Sequence, residues 1–138
     1  MVTEALSKEQ AEAVAYFEQK LAFEIGPVEL KMGLERGEKF QVIDLRTAEL
    51  YGQGHIPGAE HVLYENLEGH LSKLNKVLTT VVYCYDKLCY LSAKAALSLA
   101  KKGFKVRELA GGWDGWVERN FQVEGKAAKS SCSSSCGT

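Results

Sequence analysis

Several things are scarce in this sequence, and each scarcity removes a class of function. Charge of one sign is scarce: 17 basic residues face 18 acidic ones over 138 residues, for a net charge of −1. That balance lacks the basic excess with which proteins hold phosphate backbones or anionic membrane surfaces. Long apolar runs are missing as well, and none approaches the ~18 residues needed to span a bilayer. The first residues carry Glu4, Glu9 and Glu12 and no apolar core, so they do not read as a secretory signal. There are three histidines, and no H-x-x-x-H or similar ligand pair, which argues against a helical zinc site. No partner motif gives His61 or His70 a role. The four cysteines are not spread as a disulfide framework: Cys84 and Cys89 fall in one loop, Cys132 and Cys136 in a Ser-rich tail. Without a secretory signal the expectation is a cytoplasmic protein, where such pairs are more often catalytic or metal-binding than structural.

What is present is a chain long enough for one domain with a single good core. Ser7 with Gln10 fits a capping box opening a helix to Ile25. Its apolar stripe is Ala11, Val14, Ala15, Leu21, Ala22 and Ile25, and Gly26-Pro27 stops it. The stripe predicts packing on the core, with dimerisation or partner docking as the alternative. A second helix runs from Val28 to about Glu35 behind Pro27, and Gly37 ends it. Phe40–Leu45 is a mostly apolar strand, central in a parallel sheet. It ends on Asp44-Leu45-Arg46, read as a structural ion pair that holds neighbouring loops. Glu49 sits in a short helical turn. His55, in the turn-rich loop 52–59, is read as a loop anchor bonded to backbone or to Glu49. A brief strand, 60–63, and a mixed segment, 67–78, follow.

The chain is organised around residues 80–92. A β-branched strand, Val81-Val82-Tyr83, ends on Cys84. A loop follows, and then an amphipathic helix, Ser92–Lys102, closed by Gly103. Leu91, Ala95, Ala96 and Leu99 face one side of it, and Lys94, Ser98, Lys101 and Lys102 the other. A cysteine between a strand's carboxyl end and a helix's amino end meets unpaired N–H groups and a positive dipole end. That environment predicts a lowered pKa and a thiolate nucleophile. A last strand, 103–109, leads to Gly111-Gly112-Trp113, which opens a helical segment to about Asn120. Trp113 is expected to cap the core, with a substrate-facing role as the minority reading. Strands alternating with helices predict an α/β fold: a mostly parallel sheet of about five short strands, helices on both faces, and an N-terminal helix. Ligands in such folds sit at the carboxyl ends of strands, where Cys84 falls. The expected layout is a helical extension, 1–26, a domain, 27–124, and a flexible Cys/Ser-rich tail, 125–138.

Three signatures in order now resemble the rhodanese-like sulfurtransferase domain over roughly 27–121. They are Val42-Ile43-Asp44-Leu45-Arg46 with Glu49 and Gly54-His55-Ile56-Pro57-Gly58-Ala59; the strand ending in Cys84; and Gly103-Phe104 with Leu109-Ala110-Gly111-Gly112-Trp113. The resemblance implies that Cys84 accepts sulfur as a persulfide. It makes Tyr85, Asp86, Lys87, Leu88, Cys89 and Tyr90 the substrate-binding loop, with Asp44, Arg46 and His55 as structural neighbours of the site. The family's loop carries a glycine and an arginine, and this one carries neither. With Ser92 aligned to the family's serine the loop is two residues longer and Leu91 replaces the arginine; without a gap, Cys89 does. The arginine would bind thiosulfate bidentately. Its loss points to polysulfide or persulfide donors and argues against phosphatase activity. Lys87 offers a flexible point charge, offset by Asp86. The implied reaction moves sulfane sulfur through Cys84 to a thiol or other nucleophile, with no cofactor and no metal. Its partners are a small sulfur donor and a thiol acceptor, not nucleic acid or membrane, with a homodimer through the N-terminal helix as a candidate assembly. The alternatives are a dithiol redox or sensor protein using a Cys84–Cys89 disulfide, and a non-catalytic rhodanese-like binding module. Cys89, Cys132 and Cys136 are candidate resolving or relay thiols.

Overall fold

The computed structural model describes residues 5–85 and 89–126. Cys132 and Cys136, and Asp86, Lys87 and Leu88 of the loop, lie outside the described residues. The elements run α1 (Lys8–Phe23), β1 (Glu24–Ile25), α2 (Pro27–Glu35), β2 (Phe40–Asp44), α3 (Ala48–Gln53), β3 (Glu60–His61), α4 (Leu67–His70), β4 (Thr79–Tyr83), α5 (Leu91–Lys101), β5 (Lys105–Leu109) and α6 (Gly112–Val117). The strands form one five-stranded sheet in the order β1-β5-β4-β2-β3, and every pairing in it is parallel. Parallel neighbours require crossovers, and α4 and α5 supply covers for one face.

Alternation along the central strands divides the core in two. Val42 and Val81 point to one face and join Ile25, Leu30, Ile56, Tyr83, Leu109 and Trp116. Ile43 and Val82 point to the other and join Leu67, Leu74, Ala95, Leu99 and Phe104. Burial on both faces is why β2 and β4 read as continuous apolar runs rather than as alternating ones. Gly37 and Gly103 end helices as expected, whereas Gly26 caps the start of α2 rather than stopping α1. Gly103 has φ +91°, donates to the Ala100 carbonyl, and lets the Phe104 N–H reach the Leu99 carbonyl, a Schellman closure of α5. Gly103 and Phe104 therefore belong to that cap, and β5 starts at Lys105.

The N-terminal segment departs from expectation. The capping box is formed, Ser7 and Gln10 each bonding the other's backbone. The helix stops at Phe23, however, and Ile25 leaves the expected stripe to become the edge strand β1, paired with Leu109. No residue of α1 is buried: Val14, Tyr16, Phe17, Leu21 and Phe23 are all exposed. The predicted packing of the stripe on the core is therefore incorrect. The apolar periodicity was real, but the sheet meets this segment at β1 and at the end of α1, where Arg107 of β5 bonds the Leu21 and Glu24 carbonyls. Among the described residues no helix is long and apolar enough to cross a membrane.

Candidate active site

Two strand ends meet in the site. β2 and β4 pair in register from Phe40 with Thr79 to Asp44 with Tyr83. The sequence Asp44-Leu45-Arg46 therefore emerges beside Tyr83-Cys84.

At the first end, the Asp44 carboxylate is fully buried and accepts hydrogen bonds from the Arg46 main-chain N–H (2.8 Å), Arg46 Nε (3.1 Å) and NH2 (2.8 Å), and Tyr83 OH (2.5 Å). Arg46 is 2% exposed, donates also to the Gly54 carbonyl, and has its guanidinium 4.2 Å from the centre of the Trp113 ring. The reading of these two as a structural ion pair is correct. Buried charges need such complete pairing, because an unmatched one would cost several kcal/mol (about 3–5). Tyr83 OH in turn accepts from the Ile56 N–H at 3.2 Å. Burial, and then the Asp44 charge, raise the Tyr83 phenol far above its ordinary pKa.

The histidines are anchors. His55 Nδ1 lies 2.7 Å from the Tyr51 carbonyl, its ring stacks on Tyr51 at 3.8 Å, and its backbone pairs with Glu124. The partner is thus backbone, as expected, and the Tyr51 rather than the Glu49 alternative. His61 Nε2 meets the Arg46 carbonyl at 2.6 Å.

At the second end stands Cys84, 1% exposed. Its main chain is held from α6. The Trp113 N–H donates to the Cys84 carbonyl (2.9 Å) and the Asp114 N–H to that of Tyr85 (3.0 Å). Gly111 (φ +79°) and Gly112 (φ +58°) turn the chain so that these amides point at the loop. Trp113 therefore caps the Arg46 ion pair and fixes the loop by its backbone. Both Cys84 and Cys89 are free, and their Sγ atoms are 2.7 Å apart. Cys84 is the inner sulfur. Cys89 is half-buried and borders a cleft of about 460 Å³ with Lys20, Glu24, Tyr90, Ser92 and Glu108. Ser92 is buried at the start of α5 and donates to Glu108 at 2.8 Å.

The expected lowering of the Cys84 pKa is overturned. The Tyr85 N–H does lower it, but burial is the larger effect, and the hydrogen bond from Cys89 and the charge of Asp44 add to burial. Together they push the thiol from an ordinary 9.0 up to about 12. The inference from a helix terminus failed because α5 starts at Leu91, seven positions on, while Cys84 itself is buried. Sequence reasoning also missed three contributors: Tyr83 as the phenol on Asp44, and Lys20 and Glu24, which bring the end of α1 to the cleft. Only the alternation of β4, which sends Tyr83 to the same face as Val81, carried a signal for the first.

Comparison with known proteins agrees with this geometry. The rhodanese-like domain family matches residues 26–119, and the chain belongs to that family. The curated thiosulfate sulfurtransferase GlpE of Shewanella oneidensis is 32% identical over 88 residues, covering 63% of this chain and 85% of that protein. GlpE of Pseudomonas putida is 32% identical over 91 residues, 65% of this chain and 81% of its own. Among solved structures, the BH2092 protein of Bacillus halodurans superposes with a TM-score of 0.79 at 34% identity, covering 85% of this chain and 87% of that one.

Proposed function

We propose that this protein is a sulfurtransferase that carries sulfane sulfur as a persulfide on Cys84 and delivers it to a thiol. The observation that carries the reading is the position of Cys84 at the carboxyl end of the central strand β4, its backbone held by α6 and its sulfur 2.7 Å from that of Cys89, which lines a cleft. Ligand chemistry in open parallel sheets is done at that edge. The names of the GlpE relatives support sulfur transfer as the reaction class.

The donor we propose is a persulfide or polysulfide. Thiosulfate is a dianion, and between Cys84 and Leu91 the sequence supplies no arginine to bind it bidentately. The Asp44 charge also acts on Cys84 and opposes a second anionic group there. The donor reaches Cys84 when the Cys89 side chain turns into the cleft. That movement also removes the Cys89 hydrogen bond, one of the causes that keep Cys84 protonated, so access and thiolate formation are linked. The thiolate then attacks the outer sulfur of the donor, the donor's S–S bond breaks, and the donor leaves as a thiolate.

Peptide mapping tests this. Trypsin cuts after Lys76 and Lys87, which isolates Cys84 from the other cysteines. In a Cys89→Ser chain, treatment with glutathione persulfide is expected to add one sulfur to the 77–87 peptide, and thiosulfate to add it at least tenfold more slowly. Cys84→Ser is expected to abolish sulfur transfer. No sulfur on that peptide from either donor would refute the reading.

A further inference from the structure

We propose that Cys89 is a second catalytic residue: it resolves the Cys84 persulfide, releasing hydrosulfide and leaving a Cys84–Cys89 disulfide that a low-molecular-weight thiol reopens from the cleft side. The inference rests on the persulfide reading above. It converts a sulfur carrier into a catalyst that reduces persulfides at the expense of thiols.

The geometry supplies the first step. The two sulfurs already lie 2.7 Å apart, about 0.7 Å more than a disulfide bond, so a small side-chain movement brings them to bonding distance. The persulfide Cys84–S–SH presents two sulfurs. Attack by Cys89 on the inner one forms the new S–S bond and breaks the bond to the outer sulfur, which departs with its electron pair and the thiol proton as hydrosulfide. Cys84 and Cys89 are each oxidised to the disulfide level, and the sulfane sulfur is reduced to sulfide.

Burial supplies the order of the second step. Cys84 is 1% exposed, while Cys89 borders the open cleft. An incoming thiol therefore meets Cys89 first, forms a mixed disulfide with it and expels Cys84. A second thiol frees Cys89 and leaves as the symmetrical disulfide. The balance over one cycle is one persulfide and two thiols in, one hydrosulfide, one external disulfide and the donor's thiol out. The thiols' two electrons are the ones that reduce the sulfane sulfur. The high proton affinity of Cys84 makes it a poor leaving group, so this reopening is the slow half of the cycle.

The test uses the full chain, loaded with one equivalent of glutathione persulfide, desalted and digested with trypsin under acid quench. Because Lys87 lies between the cysteines, the disulfide appears as a cross-link between the 77–87 and 88–94 peptides. The expected result is that cross-link in the native sequence with one hydrosulfide released per chain, a persistent persulfide on the 77–87 peptide in Cys89→Ser, and both thiols free in a donor-free sample. On adding cysteamine, the mixed disulfide is expected on the 88–94 peptide. A native chain that keeps its persulfide as stably as Cys89→Ser overturns the inference but leaves the sulfurtransferase reading standing, as does extra sulfur found on the 88–94 peptide. Cys89→Ser that never gains sulfur at Cys84 overturns both.

Discussion

The ends of β2 and β4 lie side by side on one sheet, and they solve opposite problems. At the β2 end two full charges are buried and held from several sides: Asp44 by Arg46 and Tyr83, and Arg46 also by the Gly54 carbonyl and the face of Trp113. At the β4 end two free sulfurs lie 2.7 Å apart, and the Tyr85 N–H bonds the inner one. At the first end the charges hold one another in place. At the second the thiols remain free. The contrast teaches that the charged groups nearest Cys84 build its platform, while on the function proposed above the chemistry falls to the two thiols beside them.

The comparison breaks most sharply at Cys84. Cys84→Ser is expected to abolish sulfur transfer entirely while the circular dichroism spectrum stays native, because the serine keeps the shape and loses the nucleophile. Arg46→Met should do the reverse. It leaves Asp44 charged, buried and short of its partner, which costs about 3–5 kcal/mol. Urea denaturation would check this; a loss under about 1 kcal/mol would mean that the ion pair is not the support described here. Tyr83→Phe is milder. It deprives Asp44 of one donor and Ile56 of its acceptor, and an unsatisfied buried group costs about 1–3 kcal/mol.

Much of this platform was legible in the sequence. Val42 and Ile43, with Val81 and Val82, are β-branched and unbroken by polar residues, so they announced central parallel strands. Asp44 and Arg46 stand two apart at a strand end, the spacing that puts both side chains on one face. Cys84 stands out because a sulfur follows directly on such a strand. The electrostatics of that sulfur were not legible. A helix start nearby in sequence predicts amides around the thiol, whereas burial is a property of the whole fold, and here it outweighs the Tyr85 amide, which lowers the pKa. The role of α1 was misread for a related reason. Periodicity reports that a face is apolar but not that anything covers it, and the sheet edge turned out to be β1.

The pH dependence sharpens the contrast between the two ends. Cys84 has its pKa raised from 9.0 up to about 12, so in the folded chain it keeps its proton where an unfolded chain has lost it. Stability from this group is therefore complete below about pH 9 and declines as pH rises toward 12. Tyr83 is shifted in the same direction and adds to the alkaline loss. Alkylation by iodoacetamide, followed on the 77–87 peptide, should be slow at pH 7 and accelerate steadily through pH 9. Cys89→Ser removes a cause of the upward shift, so Cys84 in that variant should alkylate faster at each pH below 12. Equal rates in the two proteins would show that the thiols do not interact.

The smallest effect is expected farthest from the sheet. Leu21 is 75% exposed on α1, one turn before β1 begins. Removing an exposed side chain leaves no cavity and strips no buried partner, so Leu21→Ser should change stability by no more than about 0.5 kcal/mol. Lys20, its neighbour, borders the cleft and forms an ion pair with Glu24 at 2.9 Å. That pair is exposed, and exposed pairs contribute little to stability. A Lys20→Ala variant of near-native stability that nevertheless slows reopening of the disulfide by cysteamine would place the end of α1 within the working site. Unchanged kinetics would confine the site to the two strand ends.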